Sequence, residues 1–286
     1  MSLALVLAGG GVAGIAWETG FLLGVQDRCA HTASRLLDAD VLLGTSAGST
    51  VAAQISSGAG LAELFARQLS ENTDEITPGV DIDEVIALFE DAAAERSVPV
   101  TQRLRRIGQR AACAATVAPD LRRAVIQKRL PSHEWPSRPL KITAIDVATG
   151  ERVVFDRNSA VGLVDAVTAS CAVPAVWPPV TIGQRQFMDG GVGSSANVDV
   201  VADYETVVML APTAEPGMSP LGGCLRDELA RHRAGPAVGV FADEASIAAF
   251  GRNPLDPNCR APSAIAGREQ GRRAAAELAG FLSRRE

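Results

Sequence analysis

A chain of 286 residues with 47% hydrophobic content is long enough to bury one large core or two small ones. Its formal net charge of −6 argues against nucleic acid as the main partner. Cys29, Cys113, Cys171, Cys224 and Cys259 are scattered without metal-ligand or redox spacing, so the expectation is a reduced, cytoplasmic protein. The N-terminus lacks a basic n-region, and with a strand expected from residue 3 no cleavable leader is expected. No apolar run reaches the length of a membrane span.

In chain order, Leu3 to Leu7 reads as a buried strand, and Gly9-Gly10-Gly11-Val12-Ala13-Gly14 satisfies G-x-G-x-x-G. Ile15, Leu22, Val25 and Cys29 then recur at helical spacing. Strand, glycine loop and helix together aim backbone N–H groups at an anion, either a ligand phosphate or the oxyanion of a transition state. The glycines could instead serve only a tight turn. Val41-Leu42-Leu43 is a second strand that runs into Gly44-Thr45-Ser46-Ala47-Gly48, and "STVAAQISSG" reads as a helix. Alternating strands and helices predict an α/β fold with a mainly parallel central sheet flanked by helices.

G-x-S-x-G is the nucleophile-elbow pattern, in which glycines allow a strained turn that exposes the serine. The other reading of Ser46 is an N-cap in a glycine-rich turn. A dinucleotide site wants an acidic residue at the end of its second strand. Here Asp38 and Asp40 precede that strand and Gly44 and Thr45 end it, so the loop anion is expected to be an oxyanion rather than a pyrophosphate, with a nucleotide-binding protein kept as a further reading.

Residues 60–130 read as a helical cap with breaks near Pro78-Gly79, Pro99 and Pro119. Between Arg96 and Leu130 lie nine basic residues (Arg96, Arg103, Arg105, Arg106, Arg110, Arg122, Arg123, Lys128, Arg129) against the single acidic Asp120. They form either solvated helix faces or a docking face for peripheral contact with an anionic membrane. After the connector "PSHEWPSRP", the stretch "LKITAIDVATGERVVFD" predicts two strands paired about Thr149-Gly150. "LVDAVTASCAVPAVWPPV" is a short helix with a proline-braced loop, and "VTIGQRQFM" a small hairpin that delivers Asp189 at a strand end. "TVVMLAP" is a strand, and Ala261 to Arg285 an amphipathic helix able to turn Ile265, Ala276, Leu278 and Leu282 to the core. No linker interrupts the chain, so residues 1–286 are expected to be a single domain.

A serine needs a base. His31 and His133 have no catalytic neighbours in the sequence, and His232 lies in the charged stretch "CLRDELARHRAG". Ser46, Asp189 and His232 do follow the α/β-hydrolase order, although there several strands precede the nucleophile, whereas Ser46 follows only the second. Asp189, in Met188-Asp189-Gly190-Gly191, is the other base candidate, or simply a turn residue.

The glycine loop, the elbow and Asp189-Gly190-Gly191, in that order, resemble the patatin-like phospholipase family. Residues 165–180, with their Ala-Ser and Pro-Pro pairs, resemble the family's segment between elbow and aspartate; the likeness runs from about residue 3 to 212. The resemblance implies a Ser–Asp dyad hydrolase of lipid acyl esters, with neither metal nor cofactor. Ser46 would be nucleophile and Asp189 base. Gly9, Gly10 and Gly11 would form the oxyanion hole, chiefly through the N–H groups of Gly10 and Gly11, with Gly14, Gly44, Gly48, Gly190 and Gly191 in support. Where members often carry proline after the conserved asparagine, Val198 follows Asn197, which puts the local turn in question. A catalytically idle lipid-binding protein of the same fold is the alternative.

Overall fold

The computed structural model describes residues 2–80 and 82–283. Two apolar pentapeptides, β1 (Leu3–Leu7) and β2 (Val41–Thr45), are buried throughout and pair in parallel, Ala4 opposite Val41 and Leu7 opposite Gly44. A parallel pair needs a crossover. It is supplied by α1 (Gly11–Arg28), buried on all sides from Val12 to Val25, and by α2 (Ala30–Leu37), a short helix not anticipated from the sequence. The next helices are α3 (Ala47–Ile55), α4 (Leu61–Leu69), α5 (Ile82–Ala94), α6 (Val100–Cys113) and α7 (Pro119–Arg129). Pro119 takes the first turn of α7, where its missing N–H costs nothing.

The predicted hairpins form as β3 (Leu140–Asp146) with β4 (Arg152–Phe155), and β5 (Val180–Ile182) with β6 (Arg185–Asp189); α8 (Leu163–Ser170) lies between them. The chain then runs through β7 (Thr206–Ala211), α9 (Leu225–Ala230), β8 (Ala237–Phe241), α10 (Glu244–Phe250) and α11 (Arg260–Ser283). One sheet has the order β5-β6-β3-β2-β1-β7-β8, with β4 also on β3. Strands β3, β2, β1, β7 and β8 are parallel and the hairpin strands antiparallel, as a mainly parallel α/β fold requires. Leu3, Leu5 and Leu7 face one apolar cluster, while Ala4 and Val6 face a second with Val201, Met209 and Leu225. Both faces of β1 are therefore covered, which explains its unbroken apolar run.

The last helix departs from its predicted face. Leu278 and Leu282 are buried, but Ile265 is 52% exposed and Ala276 also faces outward. Small residues make the contact instead, because α11 lies backbone to backbone against α1. A Cβ on Gly20 would stand 2.1 Å from the Ala264 carbonyl oxygen, and one on Gly271 would stand 2.1 Å from that of Phe21. The predicted end at Arg285 lies outside the described residues. Among the described residues no helix is long and apolar enough to cross a membrane.

Candidate active site

Thr45 ends β2 and Ser46 caps α3 with φ 53° and ψ −117°, a region that non-glycine residues enter only under constraint. The constraint is visible. The Ser46 N–H donates to Ser170 Oγ at 2.8 Å, and the Ser46 carbonyl accepts from Ser49 Oγ at 2.6 Å and from Cys171 Sγ at 3.2 Å. Gly48 lets the turn approach β1: a Cβ there would meet the Leu7 carbonyl oxygen at 1.9 Å. Gly44 is equally closed, with Ser49 Cα at 2.5 Å.

The register of β3 brings the aspartate to the serine. Thr143 of β3 pairs with Thr45 of β2, and the next residue, Ala144, pairs with Asp189 at the end of β6. Ser46 Oγ donates to Asp189 Oδ2 at 2.6 Å, and the Gly191 N–H donates to Oδ1 at 2.7 Å. The Asp189 N–H in turn holds the Ala172 carbonyl at 2.9 Å. Burial pushes the Asp189 carboxyl up to about 7, against the opposing pull of Ser46, Gly191 and the Arg122 guanidinium. Gly190 packs on Thr143, whose carbonyl oxygen would lie 2.5 Å from an added Cβ.

The three glycines of the first loop do not have equal roles. The Gly9 N–H is taken by the Ser195 carbonyl at 2.7 Å, so Gly9 cannot donate to a ligand as expected; it lies against Ser46, whose Cβ would be 3.3 Å from its own. The N–H groups of Gly10 and Gly11 meet no acceptor among the described residues, at an α1 N-terminus that no side chain caps. Gly11 has φ +65°, and a Cβ on Gly10 would collide with Pro212 Cγ at 2.3 Å. Gly14 is wedged between Pro212 and Ala47.

Asn197 was not singled out from the sequence as a functional residue. Its left-handed backbone (φ 54°) leads the helical turn Val198–Val201, so the turn forms with valine where proline is usual. Its amide donates to Thr45 Oγ1 at 3.1 Å, Thr143 Oγ1 at 3.3 Å and the Ser194 carbonyl at 2.6 Å, and Arg152 holds its Oδ1 at 3.0 Å. This network ties the end of β2, which carries Ser46, to β3, the strand that pairs with Asp189.

None of the histidines joins the pair. Both oxygens of Asp189 are occupied by Ser46 and Gly191. His31 is exposed on α2 and His133 lies 3.0 Å from the Gln127 carbonyl. The ring nitrogens of His232 have no partner among the described residues, in a separate cavity beside Ser194, Glu228 and Arg231.

The space over Ser46 is narrow. A cavity of about 20 Å³, room for a water molecule, lies between Gly11, Ser46, Ala47, Arg122, Trp177 and Leu255. Val12, Ile15 and Arg129 border it on a cavity of about 220 Å³, and Arg122 borders it on one of about 410 Å³. Much of the basic stretch is already spent here. Arg106 pairs with Glu95, Arg123 with Asp165 at 2.7 Å, Lys128 with Asp74 at 2.5 Å and Arg129 with Glu75 at 2.5 Å. Arg103 is buried on the carbonyls of Ala92 and Leu221, and Arg122 stacks on Trp177.

Residues 5–202 match the model of a family described as patatin-like phospholipase. Among solved structures, VipD from Legionella pneumophila is similar over 97% of this chain and 67% of its own, at 13% identity and a TM-score of 0.44. ExoU, from the type III secretion system of Pseudomonas aeruginosa and solved in complex with SpcU, is similar over 95% of this chain, at 15% identity and a TM-score of 0.37. The chain spans 52% of that ExoU chain.

Proposed function

The chain belongs to the patatin-like phospholipase family, and from that premise, which implies lipid acyl hydrolase activity, we propose a serine acyl hydrolase that works through a Ser46–Asp189 dyad. The observation that carries this reading is the 2.6 Å hydrogen bond from Ser46 Oγ to Asp189 Oδ2, in a pair with no histidine. As Ser46 Oγ attacks the ester carbonyl, Asp189 Oδ2 takes its proton, and the negative charge moves onto the carbonyl oxygen. The unspent N–H groups of Gly10 and Gly11, at the positive end of α1, receive that oxyanion. Collapse breaks the ester C–O bond, and Asp189 returns the proton to the departing alkoxide. A water molecule, deprotonated by the same carboxylate, then cleaves the acyl-serine. These steps call on no metal or cofactor.

The burial of Asp189 supports its role as base, because a carboxyl near 7 is far more basic than a solvated one. We read residues 1–286 as one catalytic unit, since α11 near the end of the chain packs against α1 near its start. Five unpaired cysteines support a reducing, cytoplasmic setting. Contact with the lipid is peripheral, through basic side chains that no ion pair has consumed.

Ser46→Ala tests the reading. Ester hydrolysis should fall by on the order of a thousandfold or more while circular dichroism is unchanged, and fluorophosphonate labelling should disappear. Retention of more than a tenth of wild-type turnover would rule out Ser46 as nucleophile, and a wild-type protein that never labels would be an idle member of the fold.

A further inference from the structure

A second cavity, of about 250 Å³, lies between the turn Val198–Val201 and α9 and shares no lining residue with the cavity over Ser46. Its walls are mixed: Val198 and Ala202 are apolar, and Asp199, Glu228, Arg231 and His232 are ionisable. The two acids are already committed. Asp199 accepts from Nη1 and Nη2 of Arg152 at 2.7 and 2.5 Å, and Glu228 accepts from Ser194 Oγ at 2.7 Å. The two bases are not. The Arg231 guanidinium meets no acceptor among the described residues, and both ring nitrogens of His232 are buried without a partner among them.

An imidazole closed off from water with neither nitrogen bonded carries a cost that a ligand with an acceptor group relieves. The unspent capacity of the site is that of an anion receptor, a guanidinium beside an imidazole. Two carboxylates on the same wall oppose a doubly charged phosphate more than a singly charged carboxylate. Val198 and Ala202 suit an apolar tail, and about 250 Å³ lies below the range for drug-sized ligands. The wall is also tied to the dyad. Ser194 Oγ, held by Glu228, accepts the Asn197 N–H at 2.9 Å, and the Asn197 amide reaches Thr45 Oγ1 at 3.1 Å. The neighbouring Ser195 carbonyl takes the Gly9 N–H at 2.7 Å.

We propose that this cavity is an effector site for a short-chain monocarboxylate, bound by Arg231 and His232, whose occupancy lowers turnover at Ser46. The effect on turnover rests on the hydrolase reading above; such a carboxylate is what hydrolysis of a short acyl ester releases. The bound carboxylate faces Glu228 with like charge and weakens its hold on Ser194. The shift passes through Ser195 and Asn197 to Gly9 and Thr45, so kcat falls while KM is little changed.

The probe is hexanoate, with hexanol, hexylamine and inorganic phosphate as controls at equal ionic strength. The melting temperature of Ser46→Ala should rise with hexanoate and not with the controls. Arg231→Gln and His232→Leu, each added to Ser46→Ala, should raise the half-saturating hexanoate concentration by about tenfold or more. Arg231 is exposed, so Arg231→Gln carries the comparison should His232→Leu fail to fold. No rise with hexanoate, an equal rise with phosphate or hexanol, or a rise that both variants keep overturns the site. In the protein with Ser46 intact, hexanoate should depress kcat for a chromogenic butyryl ester. Arg231→Gln should lose that depression relative to its own basal rate. Competitive inhibition that survives Arg231→Gln, or no inhibition at saturating hexanoate, overturns the effector role. If wild type cleaves no ester, the hydrolase reading fails, and the melting curves still decide the site.

Discussion

Asp189 holds its proton more tightly in the folded chain than in the unfolded one, and two measurable consequences follow. As the proposed base it must be ionised, so kcat/KM should rise with pH and reach half its limit at about 7. A pH profile with its midpoint near 4 would mean a solvated carboxylate. For stability the sign is opposite. A folded value raised above the unfolded one contributes stability that is fully present below about pH 4 and lost as pH rises through about 7. Asp189→Asn, which cannot ionise, should therefore gain in melting temperature relative to wild type between pH 5 and pH 8 while losing activity on the order of a thousandfold. A pH-independent difference between the two melting curves would contradict it. At Gly10 the argument is steric: a Cβ would meet Pro212 Cγ at 2.3 Å, so Gly10→Ala must shift the loop that carries the free N–H groups. Maximal turnover should drop by on the order of a hundredfold with KM less affected; raised KM at unchanged kcat would point to ligand binding instead.

At the level of elements, β3 is the template that aligns the elbow with the aspartate, and the α1–α11 seam anchors the helix whose N-terminus faces the dyad. Glycines on both sides of that seam allow carbonyls to sit where side chains would be. Gly271→Ala should therefore destabilise the protein by roughly 1–3 kcal/mol, the range for overpacking a closed contact. Gly280, on the same helix, has nothing within 4 Å of its Cβ position. Gly280→Ala should stabilise by about 0.5–1 kcal/mol through helix propensity. Denaturant titrations of the two variants check the pair, and equal shifts would remove the seam from the account.

On the scale of the whole molecule, the proposed peripheral contact with lipid would be governed by charge. The chain carries −6, and ion pairing or burial accounts for six of the nine basic side chains between Arg96 and Leu130. Arg103 and Arg106, which look available in the sequence, are among those committed. Arg96, Arg105 and Arg110 are exposed and in no ion pair among the described residues. Each could contribute about 1 kcal/mol near an anionic bilayer. Reversing these three to Glu should weaken sedimentation with phosphatidylserine vesicles at low salt, with the difference closing at high salt. Hydrolysis of a small dispersed ester should be retained. Equal vesicle binding by both proteins would leave the helical cap without a membrane role.

The sequence by itself determined the parts that depend on neighbours in the chain. The strand, glycine loop and helix at residues 3–28, the Gly44–Gly48 elbow and the hairpin ending at Asp189 were all legible, because periodicity and turn chemistry are local. The resemblance to the patatin-like family rested on those same local blocks. Tertiary structure decided whatever needed remote partners. Ser46 and Asp189 are 143 residues apart and meet through the register of a strand that contains neither. Gly9 loses its N–H to Ser195, and Ile265 turns outward because helix backbones touch. The basic stretch is quenched by Glu75, Asp74 and Asp165, while Nε and Nη1 of Arg122 meet no acceptor among the described residues. Charge and hydrogen-bonding capacity are properties of a residue, but whether they are spent is set by what the fold places beside it.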